Sequence, residues 1–393
     1  MRVCGVVCEY NPFHKGHALH LARAREKTGA DYIVCVMSGA VTQRGHFARH
    51  DKWTRTKMAL SCGADLVLEL PARFACAPAM EFAAGAVKTL CGTGVLSHLS
   101  FGCEEEALPF LSAAAKALKE ETPAFKAALR QALDEGMPYP RARALAAQQA
   151  SGIENLAEIL CAPNAALALE YIAALPDDIL PVPVVREGAG YHDAQLSALS
   201  SATAVRAALQ AGDLPGALAA VPCPDLLREA ELSGRFHQPD ALDTALLYRL
   251  RTMSPNALAE IAGIDEGLQH RFLAAARGAS ARDSLIHQVK SKRYTYARLS
   301  RICTNALLGV TREFAAQNAQ PAYARVLGFR REAAPLLSAI KKNGSLPLVT
   351  KVADYAYPLL DLDIRAQDVW ALGCASPALQ KSGCDYTTSP VIL

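Results

Sequence analysis

The sequence predicts an α/β fold: a doubly wound parallel sheet over roughly the first 200 residues, followed by a mainly α-helical part. Three observations carry that expectation. Short apolar runs alternate with stretches of helical spacing. The runs are apolar on both faces, as strands buried between two helical layers must be. Each run is closed by Gly, Ser or Pro, so the chain turns out of the sheet before the next helix.

The elements follow in order. Val3 to Cys8 reads as the first strand and breaks at Asn11-Pro12. Ala18 to Thr28 reads as helix, stopped at Gly29. Tyr32 to Met37 is the second strand, closed by Ser38-Gly39. Asp51 is placed to cap a helix running to Ser61. Asp65 to Leu70 is the third strand, stopped by Pro71. Glu81 to Leu90 reads as helix and Val95 to Phe101 as a strand ending at Gly102. Leu108 to Gln149 has helical spacing, interrupted at Gly136 to Pro140, and reads as a helical insertion (about 108–150). Ile179 to Val185 is another strand. After Ser201 nearly everything reads as helix. Strand–helix–strand repetition implies right-handed crossovers. The expected division is 1–215 for the α/β domain and 216–393 for the helical one.

Length and composition narrow the class. The chain has 393 residues, 51% hydrophobic and 20% charged, with a formal net charge of +3. It is a globular chain of two-domain size. Global charge does not single out a nucleic-acid binder, so local clusters matter. Twelve cysteines without a Cys-x-x-Cys pair fit a reduced, cytoplasmic setting better than a disulfide framework or a zinc site. Charges and a proline interrupt the first fifteen residues, so no secretory leader is expected, and no apolar run is long enough for a membrane span.

Ligands of such sheets bind beyond the carboxyl ends of the strands. Here those ends carry Glu9 to His17, Ser38-Gly39, Leu70-Pro71 and Gly102-Cys103. His14 and His17 stand three apart at a helix start, with Gly16 between them. A helix N-terminus attracts phosphate through its unpaired N–H groups, and two imidazoles there add donors. The plainer reading is that the pair caps and packs the helix. A second phosphate signal is Ser201-Ala202-Thr203-Ala204-Val205-Arg206, where hydroxyls and N–H groups precede an arginine one turn on.

The His-x-Gly-His loop after a first strand resembles the nucleotidyltransferase superfamily, and the Ser201–Arg206 segment resembles that superfamily's Ser-Ser-Thr-x-Ile-Arg motif, departing from it at Ala202 and Val205. Further blocks follow in order: Met37-Ser38-Gly39, Gln43-Arg44-Gly45, Asp51-Lys52-Trp53, Gly63 to Pro71, Phe101-Gly102, Pro163-Asn164, and Arg186 to Asp193 with Tyr191-His192. Val289 to Thr295 and Arg325 to Phe329 continue the series. Together they resemble the tRNA(Met) cytidine acetate ligase family over most of the chain.

The resemblance implies a Rossmann-like fold of the His-x-Gly-His type and a defined chemistry. ATP and acetate form acetyl-adenylate, and acetyl passes to N4 of the wobble cytidine of elongator tRNA(Met), giving N4-acetylcytidine. It implies a nucleotide-binding loop of Val7, Cys8, Glu9, Tyr10, Asn11, Pro12, Phe13, His14, Lys15, Gly16, His17, Ala18, Leu19 and His20. Gly102, Asn164 and Arg186 are implied as later nucleotide contacts; spacing alone singles out none of them. Ser201, Thr203 and Arg206 complete the set. His14 and His17 are the candidate catalytic residues. Magnesium is expected to arrive on ATP, with no protein ligand named and Glu9 as a candidate only.

An RNA partner should leave an electrostatic trace. From Ser284 to Arg312 there is no Asp or Glu, and Lys290, Lys292, Arg293, Arg298 and Arg301 are interleaved with Tyr294 and Tyr296. A second basic group is Arg325, Arg330, Arg331, Lys341, Lys342 and Lys351. Trp53 and Phe82 read as core, while Arg44 and Lys52 read equally well as approaching phosphate or RNA and as solvated surface. Two rival readings stand beside the ligase: a small-molecule adenylyltransferase of the same superfamily, and a non-catalytic RNA-binding or assembly factor on an ATP-binding fold.

Overall fold

The structure, a computed structural model, describes the chain except for residues 105–106, 161, 186–200 and 266. Its first half follows the strand–helix alternation: β1 (Val3–Cys8), α1 (Lys15–Thr28), β2 (Tyr32–Ser38), α2 (Lys52–Ser61), β3 (Leu66–Leu70), α3 (Ala79–Cys91) and β4 (His98–Cys103). The helix α1 begins three residues earlier than its apolar pattern suggests, because His14 caps it. Asp51 caps α2 by accepting the Thr54 N–H at 2.8 Å. Three helices, α4 (Leu111–Glu120), α5 (Pro123–Asp134) and α6 (Tyr139–Ser151), form the insertion, and α7 (Pro163–Ala174) leads to β5 (Leu180–Val185).

The strand order is β5-β4-β1-β2-β3, all parallel. Successive residues along each strand face alternate cores. Val34 and Val36 join Leu66 and Leu68 in one apolar cluster, while Ile33, Cys35 and Met37 join Val67 in the other. The helices α1 and α2 cover the second face through Leu21, Met58 and Leu60, and α3 covers the first through Phe82, Val87 and Leu90.

The second half is mainly helical, as expected, but also adds strands to the sheet. The helices α8 (Ala202–Gln210), α9 (Pro224–Leu232), α10 (Asp243–Thr252), α11 (Leu268–Gly278), α12 (Arg282–Val289) and α13 (Tyr296–Leu308) come first. A separate apolar core joins α10 to α13 through Leu246, Leu268, Phe272, Ile286 and Ile302. The chain then returns to the sheet. β6 (Ala324–Phe329) pairs antiparallel with β3, and β7 (Leu348–Val349) and β8 (Val391–Ile392) pair parallel with β6. The sheet is therefore mixed. The last long helix, α14 (Pro358–Leu372), packs Leu359, Leu360 and Trp370 into the first core.

Register explains this edge and corrects two surface readings. Glu69 of β3 stands opposite Arg325 of β6. Arg325 pairs with Glu69 at 2.9 Å and with Asp385, while Lys52 pairs with Glu69 at 2.9 Å and Asp385 at 2.6 Å. Lys52 is fully buried and Arg325 nearly so. Neither is a solvated charge, because each is neutralised inside the fold.

Candidate active site

The chain steps outward from β1 through β2 to β3, then returns to lay β4 on the other side of β1. That reversal opens a crevice at the carboxyl ends of β1 and β4, the usual ligand position in such sheets. A cavity of about 890 Å³ lies there. The loop after β1 forms one wall and Gly102, at the end of β4, lies across from it. Strand order thus supplies the physical reason for a glycine that spacing did not single out.

The His-x-Gly-His loop is held by its own backbone. His14 is the N-cap of α1, in extended conformation, and its Nδ1 accepts the Gly16 N–H at 3.1 Å. The His17 Nδ1 accepts the His14 N–H at 3.3 Å. Both capping and cavity roles are therefore present in the same pair. A ring nitrogen that accepts carries no proton, so Nε2 is the donating nitrogen of each imidazole. The rings lie 3.7 Å apart between centroids, and both line the cavity. Gly16 has little room for a side chain: a Cβ there would sit 3.0 Å from the His14 ring. Tyr10, at φ 47°, and Phe13 pack on His17 with centroids 4.8 and 5.5 Å away. The Asn11–Pro12 peptide is cis.

Most of the expected nucleotide residues come together. Val7, Cys8, Glu9, Tyr10, Asn11, Leu19, His20, Asn164, Ser201, Thr203 and Arg206 reach the cavity wall with the two histidines. Pro12, Phe13, Lys15 and Ala18 do not: Phe13 is core, Ala18 packs against the core and Lys15 faces solvent. Arg186, with Tyr191 and His192, lies outside the described residues. His20 bonds Ser100 of β4 through Nε2 at 3.0 Å. Asn164 donates to Glu104 at 2.7 Å. Ser201 caps α8 by accepting the Ala204 N–H at 3.1 Å, and Arg206 donates to the Asn11 carbonyl at 2.5 Å and to Thr203 at 3.2 Å. The two phosphate signals of the sequence, 195 residues apart, are therefore bonded to each other.

Arg55 is a residue that motif reading missed. It is fully buried and donates to the carbonyls of Glu9 at 2.7 Å, Ser38 at 2.8 Å, His50 at 3.0 Å, and to that of Gly39. It thereby ties the ends of β1 and β2 together. The signal was its place on the inner face of α2. Glu9 accepts the Gln43 N–H at 2.7 Å, and burial pushes its carboxyl up against the opposing pull of that bond and of Arg206 and Arg55.

The far wall of the cavity comes from the second half. A turn from Thr42 to His46 closes through the Gly45 N–H on the Thr42 carbonyl and the Thr42 N–H on the His46 carbonyl, both 2.9 Å. The Gly45 carbonyl accepts Thr304 at 2.6 Å, Ser300 at 3.2 Å and Arg282. Arg301 donates to the Gln43 carbonyl at 3.2 Å and lines the cavity. Of the basic run, Lys290, Lys292 and Arg293 are exposed or partly so. Arg298 pairs with Asp265 at 2.6 Å and lies 5.1 Å from the Tyr294 ring. Tyr294 is buried, so Tyr296 is the ring left facing the cavity. Among the described residues no group of three or more His, Cys, Asp or Glu could hold a metal, and the described cysteines are free thiols.

Comparison with known proteins agrees with this geometry. The model of the HIGH Nucleotidyl Transferase family matches residues 1–383. The tRNA(Met) cytidine acetate ligase of Acetivibrio thermocellus is 36% identical over 416 residues, covering all of both chains. That of a Geobacillus species is 37% identical over 407 residues, again over both full lengths. Among solved structures, Thermotoga maritima TmcAL bound with alpha-thio ATP superposes with a TM-score of 0.93 at 32% identity, covering both chains completely. Its apo form gives 0.94.

Proposed function

We propose a working of the cavity from one premise: the chain belongs to the tRNA(Met) cytidine acetate ligase family, within the HIGH nucleotidyl transferases. It is an ATP-dependent enzyme that acetylates a cytidine of tRNA(Met). In our reading the acid is acetate and the target is N4 of the wobble cytidine of the elongator tRNA. An acetate oxygen attacks the α-phosphorus of ATP, pyrophosphate leaves, and acetyl-adenylate remains. The N4 amine then attacks the acetyl carbonyl, N4 loses a proton, and AMP departs.

Negative charge moves in the first step onto the bridging and equatorial oxygens, so donors already in place there are the main resource. The Nε2–H groups of His14 and His17 supply it, because their Nδ1 atoms are committed to backbone N–H groups. The N-terminus of α1 adds its dipole. Arg206 adds charge for the leaving phosphates. Asn164 and Gly102 line the opposite side. Magnesium, carried in on the triphosphate, would neutralise phosphate charge; Glu9 and Asp243 are the carboxylates at the described cavity wall, and Glu9 is held by the Gln43 N–H.

Lys290, Lys292 and Arg293, beside the far wall, would hold tRNA phosphates while the cytidine enters. An enzyme working on tRNA would act in the cytoplasm. No described helix is long and apolar enough to cross a membrane. The α/β part (1–215) would form the adenylate and the mainly helical part (216–393) would hold tRNA, with the strands β6 to β8 of the latter belonging to the common sheet.

The observation that carries this reading is the pair of backbone-locked imidazoles at the strand-order reversal. The test is nucleoside mass spectrometry of tRNA(Met) treated with protein, ATP and acetate, with acetate-dependent exchange of label between pyrophosphate and ATP. N4-acetylcytidine with exchange supports it. Exchange driven by a phosphorylated metabolite supports the adenylyltransferase, and no exchange supports the RNA-binding factor.

A further inference from the structure

We propose that the far end of the cavity, between the Thr42–His46 turn and the start of α13, seats the cytosine that is acetylated, with His46 and Tyr296 as its stacking faces. This rests on the reaction proposed above and names its second subsite. The cavity is continuous: His14, His17, His46, Tyr296 and Arg301 all line it. At about 890 Å³ it lies near the top of the about 300–1,000 Å³ that single small ligands occupy. That size is within reach of one ligand, and the demand for a second occupant comes from the transfer step.

The two rings are arranged for a flat, neutral guest. His46 and Tyr296 are within 23° of parallel, with centroids 6.2 Å apart. Two successive stacks along a nucleic-acid strand span about 6.8 Å, so the rings must part by about 0.6 Å to admit a base between them. Both ring positions are set by the protein. The Tyr296 hydroxyl donates to Asp283 at 3.0 Å. The turn carrying His46 is pinned through the Gly45 carbonyl, and a Cβ at Gly45 (φ 78°) would fall 2.5 Å from the Arg301 backbone nitrogen. His46 is open to the cavity, yet burial there, with the charges of Arg282, Arg206 and Arg44, brings its pKa down to about 4. It is thus an uncharged ring at neutral pH and stacks without losing ionic solvation.

Position supports the same guest. A base splayed from a loop leaves its phosphates outside while its ring goes in. Lys292 and Arg293 stand three or four residues before Tyr296 and are exposed, so phosphate-holding charge and a stacking ring share one short segment.

The test compares two half-reactions in the full-length enzyme: acetate-dependent pyrophosphate exchange without tRNA, and acetyl transfer to tRNA(Met). Tyr296→Ala should lower transfer by about 5- to 150-fold, the effect of losing one base–aromatic stack, and so lower the ratio of transfer to exchange. Tyr296→Phe, which keeps the ring, should restore transfer. His46→Ala should lower the same ratio from the opposite wall, which keeps the test decisive should Tyr296→Ala fold poorly. The proposal is overturned if both alanine variants transfer acetyl at the normal rate, or if exchange and transfer fall in equal measure. A wild-type enzyme that makes no N4-acetylcytidine overturns the parent reaction instead, so the two failures are distinct.

Discussion

Replacing His17 by Asn and by Gln separates its two jobs. The asparagine amide oxygen reaches about where Nδ1 lies, so His17→Asn keeps an acceptor for the His14 N–H, now 3.3 Å away. It lacks anything at the Nε2 position. The glutamine amide nitrogen reaches about where Nε2 lies, so His17→Gln keeps a cavity donor, and a glutamine at this third helical position can also accept the His14 N–H through its amide oxygen. Losing one preorganised donor to a charge-accumulating oxygen costs about 10²- to 10³-fold in rate, or about 2.7–4 kcal/mol. Losing an N-terminal cap bond costs about 0.5–2 kcal/mol of stability, and at this length the lower part of that range applies. The assay is acetate-dependent pyrophosphate exchange at saturating ATP, with urea unfolding measured beside it. His17→Asn should unfold near the wild-type midpoint and exchange about 10²- to 10³-fold more slowly. His17→Gln should exchange faster than His17→Asn at a similar unfolding midpoint. If His17→Asn exchanges at the wild-type rate, or if the two variants are equally slow, the histidine acts through structure and the donor argument is wrong.

Three further outcomes follow from the same geometry. Replacing Lys290, Lys292 and Arg293 together by Gln should flatten the salt dependence of tRNA binding by about 0.7–0.9 log units per log of salt for each phosphate left unneutralised, read from filter binding at several salt concentrations; an unchanged slope removes the RNA role of that segment. Lys52→Met takes the cation from a buried set in which Glu69 and Asp385 face it at 2.9 and 2.6 Å, and should destabilise the fold by about 3–5 kcal/mol in chemical unfolding. Burial, then the charge of Glu69, raises the Asp363 carboxyl from an ordinary 3.8 to about 8. The fold thus favours its neutral form, so its contribution is complete below about 3.8, declines as pH rises, and is lost through about 8. The urea midpoint of the wild type should fall across that window, and Asp363→Asn should remove most of the slope.

Strands and helices of the first half were legible because a buried parallel strand leaves a plain trace: a run apolar on both faces with a turn residue behind it. The edge was not. Ala324–Phe329 is six residues long and contains Arg325, a charge that reads as solvent until Glu69, 256 residues earlier, is placed opposite it. The same holds for Lys52, whose partners Glu69 and Asp385 are far from it in sequence. Buried ion pairs are tertiary facts; each half alone resembles a surface charge. In the site, His14, His17 and Arg206 could be picked out as cavity residues because capped helix starts are visible in the local sequence. Gly102 and Asn164 have no such local signature, and only the reversal of strand order brings them across from the histidines.

Joining the halves in one cavity has a chemical reason. Acetyl-adenylate is a mixed anhydride that water destroys, so the site that forms it must also be the site that spends it. Two separate domains with a mobile gap would expose the intermediate between steps. Here the turn after β2 is clamped to α12 and α13 at the Gly45 carbonyl, and its hydroxyl and guanidinium donors are buried or half-buried. Arg301, next along α13, closes the same wall from inside. The loop after β1 and the helix α13 are thereby held to the same turn. It follows that loosening the clamp, as Gly45→Ala would at φ 78°, should damage acetyl transfer more than adenylate formation, because only the second step needs both walls at once.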